Sequence, residues 1–225
     1  MIPLRDNIPS RRYPFVTVAL ISLNVVAFLY EVSLSPEQKL RLFYACGMVP
    51  LRLSHPDVHP GLPFFITLFS SLFLHGGWLH LLGNMLFLWI FGDNVEDRLG
   101  HFKFLLFYLA GGAIANICQF IIGPSSKVPV IGASGAISAV MGAYFVLFPF
   151  AHISSIVFIF FFFTIAEIPA SLYLFFWFTW QVLEGLFVLP SAGEIGGVAF
   201  WAHIGGFAFG YIYARYFLPY SRKLY

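Results

Sequence analysis

The stretch of sequence that decides the fold is VPVIGASGAISAVMGAYFVLFPF, residues 128–150. It contains no Asp, Glu, Lys or Arg, and it is long enough to cross a bilayer, which takes roughly 20 apolar residues in a helix. Ser134 stands near its beginning, in the run Gly132-Ala133-Ser134-Gly135. Small residues are common where membrane helices touch, so this stretch alone predicts a membrane span and leaves the role of the serine open.

The composition of the whole chain also indicates a membrane protein. The 225 residues are 60% hydrophobic and only 10% charged, and the mean hydropathy is +0.85. Soluble domains carry about 25% charged residues, so this chain has too few to cover a surface that faces water. The net charge of +2 gives no indication of nucleic-acid binding. The two cysteines, Cys46 and Cys118, indicate neither a disulfide framework nor a metal site.

Uncharged runs elsewhere in the chain predict five further spans. The six expected spans cover residues 13–30, 76–92, 104–123, 128–150, 168–183 and 195–214. They form one membrane domain over residues 1–225, with a short cytoplasmic N-terminus at 1–12 and a long first loop at 31–75. Two shorter apolar runs remain. We expect residues 61–74 to be interfacial or re-entrant, and residues 153–166 to be interfacial or the first arm of a hairpin.

The distribution of Lys and Arg indicates that both termini lie inside. With six spans and an inner N-terminus, the inner side holds eight of the 12 basic residues. The excess is expected on the cytoplasmic side. The inner group is Arg5, Arg11, Arg12, Arg98, Lys103, Arg215, Arg222 and Lys223, and the outer group is Lys39, Arg41, Arg52 and Lys127. Spans two, four and six then all run from outside to inside.

This common direction places three polar residues at one depth. Asn84, Ser134 and His203 each lie six to eight residues after the beginning of their span. At about 1.5 Å per residue, all three are expected roughly 10 Å below the outer boundary. Polar side chains within a membrane face the bundle interior or a water-filled cavity. The sequence therefore predicts one common site near the outer face.

The residue types at this site suit hydrolysis by a serine nucleophile. A neutral imidazole at His203 can take the proton of the Ser134 hydroxyl as a general base. Gly132 and Gly135 allow close approach and unusual dihedrals at the beginning of a helix, where a nucleophile and a backbone N–H can point at one carbonyl. The structural alternatives are a histidine that only packs against a neighbouring helix and a serine that only provides a small contact.

Two glycines after His203 are expected to bring its helix close to the helix of Ser134. Gly206 and Gly210 lie three and seven residues after His203, on the same helical face. Such a strip lets the backbones of two helices approach each other. We interpret these glycines as structural residues that allow His203 to reach Ser134.

His80 and Asn84 lie one helical turn apart and share a face. Their N–H groups could stabilise the charge of a tetrahedral intermediate. A packing pair is one alternative. A metal site with His75 as a third ligand is another, although Asn is a poor zinc ligand and no carboxylate or thiolate is well placed. No carboxylate completes a triad either, so the sequence predicts a Ser134–His203 dyad without metal or cofactor.

Four segments in order resemble the rhomboid intramembrane serine proteases. They are IPLRD at 2–6, HGGWLHLLGNM at 75–85, GASG at 132–135 and AHIGG at 202–206. The resemblance implies an all-α, six-transmembrane-helix bundle with both termini inside and a site that opens toward the extracytoplasmic side. It also implies that the connection over residues 31–74 forms a laterally placed first loop.

The resemblance implies a role for each residue of the site. Ser134 would be the nucleophile and His203 the base. His80, Asn84 and the backbone N–H of Ser134 would form the oxyanion site, and His75 would be a structural residue that lines a water-filled cavity. Substrates would be single-span membrane proteins, cut near the outer membrane boundary.

The chain departs from the family pattern at two places. Some rhomboids have an aromatic residue four positions after the nucleophile, stacked on the histidine, whereas this chain has Ser138. The base is therefore expected to rely on another group for its orientation. The first loop also lacks the tryptophan–arginine pair of the family and has FFIT at residues 64–67.

Two functions compete with proteolysis. A catalytically inactive rhomboid-like protein would bind unstable membrane helices, or act in their quality control, without cutting them. A small transporter would use His80 and His203 as a proton relay, although the chain lacks an obvious inverted repeat with interrupted helices. Because nothing resembles an organelle transit peptide, we expect a multi-pass protein of a prokaryotic cell (inner) membrane.

Overall fold

The computed structural model describes residues 1–56, 61–159, 162–188 and 198–218. Most of them are helical, as the sequence predicts. In chain order the elements are β1 (Ile2–Asp6), α1 (Phe15–Ser33), α2 (Pro36–Cys46), α3 (Phe64–Ser70), α4 (Trp78–Leu99), α5 (His101–Ile122), α6 (Ser134–Leu147), β2 (His152–Ile159), β3 (Phe162–Pro169), α7 (Ala170–Phe187) and α8 (Phe200–Phe217). Short 3-10 helices occupy Pro50–Leu53 and Ser71–Phe73.

Some of the described helices are long enough to span a membrane. Among the described residues, α1 and α5 are each long and apolar enough to cross a membrane. The helical segment Phe64–Phe73 and α4 meet the same criterion together, as a pair bent by 87°. This bend separates the apolar run at 61–74 from α4, as a broken span or a re-entrant loop would. By length and composition the described helices thus provide two spans, or three if the bent pair is one.

The predicted span at residues 128–150 is too long at both ends. Its helix, α6, begins only at Ser134 and ends at Leu147. Before it, Val130 forms an isolated antiparallel bridge with Met48. Gly132 has a φ of 121°, which a continuous right-handed helix does not allow. The predicted fifth span also begins too early, since residues 168 and 169 belong to β3. Residues 195–197 of the sixth predicted span lie outside the described residues.

The core of the bundle is α6, which packs against α4, α5, α7 and α8. Its residues from Gly135 to Tyr144 are all buried. A Cβ placed on Gly210 would collide with the Ala139 carbonyl oxygen, and one on Gly206 would collide with the Gly135 carbonyl oxygen. The backbones of α6 and α8 therefore touch, because α8 carries glycine at both crossing points.

A three-stranded antiparallel sheet in the order β1-β2-β3 corrects the prediction of an all-α protein. The run at 153–166, expected to be interfacial or the first arm of a hairpin, contributes to both strands of a β-hairpin that precedes α7. This segment is rich in Ile, Val, Thr and Phe, which favour strands. β1 pairs with β2, with Ile2 opposite Ile156 and Asp6 opposite Ile153.

Polar contacts fasten the N-terminal segment to one end of the bundle. The Asp6 carboxylate accepts hydrogen bonds from the Tyr144 hydroxyl at 2.5 Å and from the Asn94 amide at 2.9 Å. The Glu96 carboxylate accepts from the backbone N–H groups of Val16 at 2.9 Å and Thr17 at 2.7 Å. Glu96 thereby satisfies free donors at the beginning of α1, and the end of α4 lies beside the beginning of α1.

The described part of the first loop, predicted at 31–75, contains helices of its own. α2 begins with a capping box between Ser35 and Gln38, which satisfies two free donors reciprocally. Arg52 is buried, and its guanidinium donates to the carbonyl oxygens of Tyr44, Ala45 and Leu62. These bonds fix the end of α2 against the chain that leads into α3.

Candidate active site

The closest contact between predicted site residues joins the beginnings of α6 and α8. The Ser134 hydroxyl oxygen lies 2.7 Å from Nε2 of His203. His203 is only 8% exposed, whereas Ser134 is half-buried. A serine within hydrogen-bond distance of a shielded histidine is the arrangement in which imidazole can take the hydroxyl proton.

Glycine is required just before the serine. Gly132 has a φ of 121° and donates its backbone N–H to the Ser71 carbonyl at 2.9 Å. A Cβ at Gly132 would lie 2.6 Å from Nε2 of His80 and 3.7 Å from Nδ2 of Asn84. The turn thus brings the backbone just before Ser134 into direct contact with the two side chains of α4.

The hydrogen bonds of His80 indicate which ring nitrogen carries its proton. The backbone N–H of Gly76 donates to Nδ1 of His80 at 3.3 Å. Because Nδ1 accepts, the proton of a neutral ring resides on Nε2, the atom that faces Gly132. His80 is half-buried, and Nε2 of the neutral ring presents an N–H donor to the space beside Gly132, two residues before Ser134.

Asn84 supplies a second donor at the same place. It is 7% exposed, and its Nδ2 has no hydrogen-bond partner within the described part of the chain. A buried donor without a partner is costly, so each such group in a structure requires an explanation. Charge that develops on a substrate oxygen beside Gly132 would provide the acceptor. The backbone N–H of Ser134, at the beginning of α6, also belongs to the helix turn that lacks internal acceptors.

His75 lies next to His80. Its side chain is fully buried, and its ring centre is 5.1 Å from that of His80. Its backbone N–H donates to the Glu31 carboxylate at 3.1 Å, which joins the end of α1 to the chain just before α4. Neither ring nitrogen has a partner among the described residues. The structure thus places the His75 ring beside His80, with its backbone bonded to the end of α1.

The donor set does not suit a metal ion. Across residues 1–56, 61–159, 162–188 and 198–218, no three His, Cys, Asp or Glu side chains converge as a metal site requires. Of the side chains beside the two histidines, the Asn84 amide is a poor ligand, and the Glu31 carboxylate accepts from the backbone N–H of His75.

The remaining predicted glycines determine how closely the helices approach. A Cβ at Gly135 would lie 2.6 Å from the Ala115 Cβ on α5. Gly206 and Gly210 allow the backbone contact between α6 and α8 described above. These three positions keep the beginnings of α6 and α8 close enough for the Ser134–His203 hydrogen bond.

Sequence reasoning missed one residue of this site. Oε1 of Gln181, on α7, lies 2.7 Å from Nδ1 of His203. Trp177, one turn earlier on α7, has its ring centre 6.0 Å from that of His203. The signal was present, because Gln181 is the only amide in the predicted span at 168–183, and a polar residue in a span marks a functional site or a buried contact.

The profile of the Rhomboid domain matches residues 64–220. The chain is 37% identical over 95 residues to rhomboid-like protein 11, chloroplastic, of Arabidopsis thaliana, and the aligned region is 42% of this chain and 32% of that protein. It is 30% identical over 151 residues to the human mitochondrial presenilin-associated rhomboid-like protein, and this aligned region is 65% of this chain and 36% of that protein.

A bacterial relative carries the word protease in its name. The rhomboid protease GluP of Bacillus subtilis is 43% identical over 76 residues, which is 34% of this chain and 14% of that protein. This chain thus matches roughly a third or less of the length of each of these relatives.

Proposed function

Because the chain belongs to the rhomboid family, we propose that it is an intramembrane serine endopeptidase that acts through a Ser134–His203 dyad. The observation that carries the proposal is the 2.7 Å separation between the Ser134 hydroxyl oxygen and Nε2 of His203. Two donors on α4, from His80 and Asn84, lie beside Gly132, two residues before this serine. A nucleophile, a base and oxyanion donors at one place are the parts that acyl transfer requires.

The reaction begins when Nε2 of His203 accepts the proton of the Ser134 hydroxyl. The serine oxygen attacks the carbonyl carbon of the scissile peptide bond, and the carbonyl oxygen becomes an oxyanion. The donors for this oxyanion are Nε2–H of His80, Nδ2–H of Asn84 and the backbone N–H of Ser134. Nδ2 of Asn84 has no hydrogen-bond partner among the described residues. This supports the role, because an interaction made only in the transition state raises the rate.

Collapse of the intermediate breaks the peptide bond. The imidazolium of His203 gives its proton to the leaving amine, and an acyl-enzyme remains on Ser134. Water then attacks the ester with His203 as base again and releases the second product. No metal or cofactor is required for these steps.

The proposed substrates are single-span membrane proteins, cut near the outer membrane boundary. A helical peptide bond is shielded by its own turn, so the substrate must unwind before Ser134 can attack. Small residues and helix-breaking residues near the scissile bond would favour this unwinding. The lipid bilayer is the second partner in this proposal.

We propose six membrane crossings, by α1, α4, α5, α6, α7 and α8, with both termini inside. The contact of Glu96 with Thr17 at one end and that of Glu31 with His75 at the other support antiparallel packing of α1 and α4. The distribution of Lys and Arg supports the inner location of the termini. A prokaryotic cell membrane is the proposed location, and the Bacillus relative is consistent with it.

The alternative function is a rhomboid-like protein that binds membrane helices without cutting them. Two of the relatives above have names that say rhomboid-like and not protease. This alternative predicts that Ser134→Ala leaves biological function unchanged.

The test is proteolysis in a defined membrane. Purified protein and a single-span substrate with a small residue near the outer boundary are reconstituted into proteoliposomes, and products are located by mass spectrometry. We expect cleavage by the wild type and none by Ser134→Ala or His203→Ala, with Ser33→Ala, on the exposed end of α1, as a control. Cleavage that persists in Ser134→Ala contradicts the proposal, and binding without cleavage by the wild type favours the alternative.

A further inference from the structure

The imidazole of His203 is held on both sides. Nε2 faces the Ser134 hydroxyl at 2.7 Å, and Nδ1 faces Oε1 of Gln181 at 2.7 Å. Both His203 and Gln181 are less than 10% exposed. Within the described part of the chain these are the two hydrogen bonds made by the imidazole, and neither involves a carboxylate.

The partner of Nδ1 decides which nitrogen can act as the base. An amide oxygen can only accept, so Nδ1 must carry the proton when Gln181 presents Oε1. In a neutral ring, Nε2 then has the free lone pair that accepts the proton of Ser134. If the ring carried its proton on Nε2 instead, it would donate to the serine oxygen and could not act as its base.

Ser138, one turn after the nucleophile, does not orient the imidazole. Its hydroxyl donates to the backbone carbonyl of Ser134 at 2.6 Å, so the proton of this hydroxyl is already bonded within α6. The ring of Trp177 lies beside His203 but offers no acceptor for Nδ1–H. The hydrogen bond at Nδ1 of His203 therefore comes from Gln181 on α7 and not from α6.

We propose that Gln181 is a positioning residue that fixes the tautomer and orientation of His203, so that the working unit is Ser134–His203–Gln181. This inference rests on the proposed function. The neutral amide takes the place that a carboxylate has in a Ser-His-Asp triad, and it does so without burying a charge, which is expensive inside a membrane. α7 is held in position by a bond from Nε1 of Trp201 on α8 to the Gly185 carbonyl at 3.2 Å.

The test measures the rate at which a fluorophosphonate modifies Ser134 in purified protein. Gln181→Met keeps an unbranched side chain of similar length but lacks a strong acceptor, and Gln181→Glu keeps an acceptor oxygen. Val182→Ala, next to Gln181 on α7, controls for lost packing. We expect Gln181→Met to label roughly 10- to 100-fold more slowly than the wild type, which is the effect of leaving a buried N–H unpaired. Val182→Ala should label like the wild type.

Rescue by the conservative variant separates positioning from packing. We expect Gln181→Glu to label roughly tenfold faster than Gln181→Met, since a carboxylate also accepts from Nδ1–H. If Gln181→Met labels at the wild-type rate, or if Gln181→Glu is as slow as Gln181→Met, the inference is overturned while the proposed function stands. If folded wild type does not label at all, the proposed function itself fails.

A spectroscopic readout covers the case in which the Met variant does not fold. Nitrogen-15 NMR of histidine-labelled wild type, with the His203 signals assigned by their loss in His203→Ala, distinguishes the two neutral tautomers directly. We expect a protonated Nδ1 and an unprotonated Nε2. A protonated Nε2 would mean that Gln181 presents its NH₂ group, and the inference would be wrong.

Discussion

Substitution of Gly132 by alanine tests the geometry of the proposed oxyanion site. A Cβ at this position would lie 2.6 Å from Nε2 of His80, whereas ordinary contact begins at 3.4 Å. The imidazole would therefore have to move by 0.8 Å, the difference between these two distances. A displacement of about 1 Å in a catalytic group can lower a rate about 100-fold. The φ of 121° at Gly132 adds roughly 1–3 kcal/mol of backbone strain for alanine.

The assay is fluorophosphonate labelling together with cleavage of a reconstituted single-span substrate. We expect both rates to fall about 100-fold in Gly132→Ala, near the lower end of the effect of losing one oxyanion donor. Gly83→Ala is the matched control, because a Cβ there meets nothing within 4 Å and Gly83 neighbours Asn84 on α4. That control should be active and more stable by roughly 0.5–1 kcal/mol. Wild-type rates in folded Gly132→Ala would refute the placement of His80 beside the reacting oxygen.

Three further substitutions have expected outcomes. Asn84→Ala should lower kcat for cleavage by roughly 100-fold with little change in KM, because its amide would act only in the transition state. A higher KM with an unchanged kcat would contradict that role. Gly210→Ala should lower both the thermal stability and the labelling rate, since its Cβ would collide with the Ala139 carbonyl and separate α8 from α6; unchanged melting would contradict the close packing. Burial raises the pKa of Asp6 to about 6 from a usual 3.8, against the hydrogen bond from Tyr144. The folded protein then binds more protons than the unfolded chain between these values, so stability should fall as the pH rises through this window. Asp6→Asn should remove that part of the pH dependence of thermal unfolding, and an identical profile would contradict it.

The position of the site was predicted from the sequence more accurately than the bounds of the helices that carry it. Ser134 and His203 lie six and eight residues after the beginnings of their predicted spans, and the structure has them within hydrogen-bond distance. The start of α6 was misplaced because hydropathy does not distinguish an apolar loop from an apolar helix. Pro129 and the positive φ of Gly132 delay the helix until Ser134, which leaves the serine in its first turn.

The sheet and the partner of His203 depend on contacts that lie far apart in sequence. β1 pairs with β2 across about 150 residues of intervening chain, and a local reading of the sequence does not reveal such a pairing. Gln181 is 22 residues from His203, on a helix whose rotation is set by packing against α8. Residue type marks Gln181 as unusual, but only the packing of α7 identifies its partner.

Covalent labelling reports whether Ser134 is activated by His203, on which the proposed function depends. Folded wild type, Ser134→Ala and His203→Ala are incubated with a fluorophosphonate in detergent, and the modified residue is identified by mass spectrometry. We expect labelling of the wild type at Ser134 and none in either variant. A folded wild type that does not label, or labelling that persists in His203→Ala at the wild-type rate, would overturn the activation of Ser134 by His203.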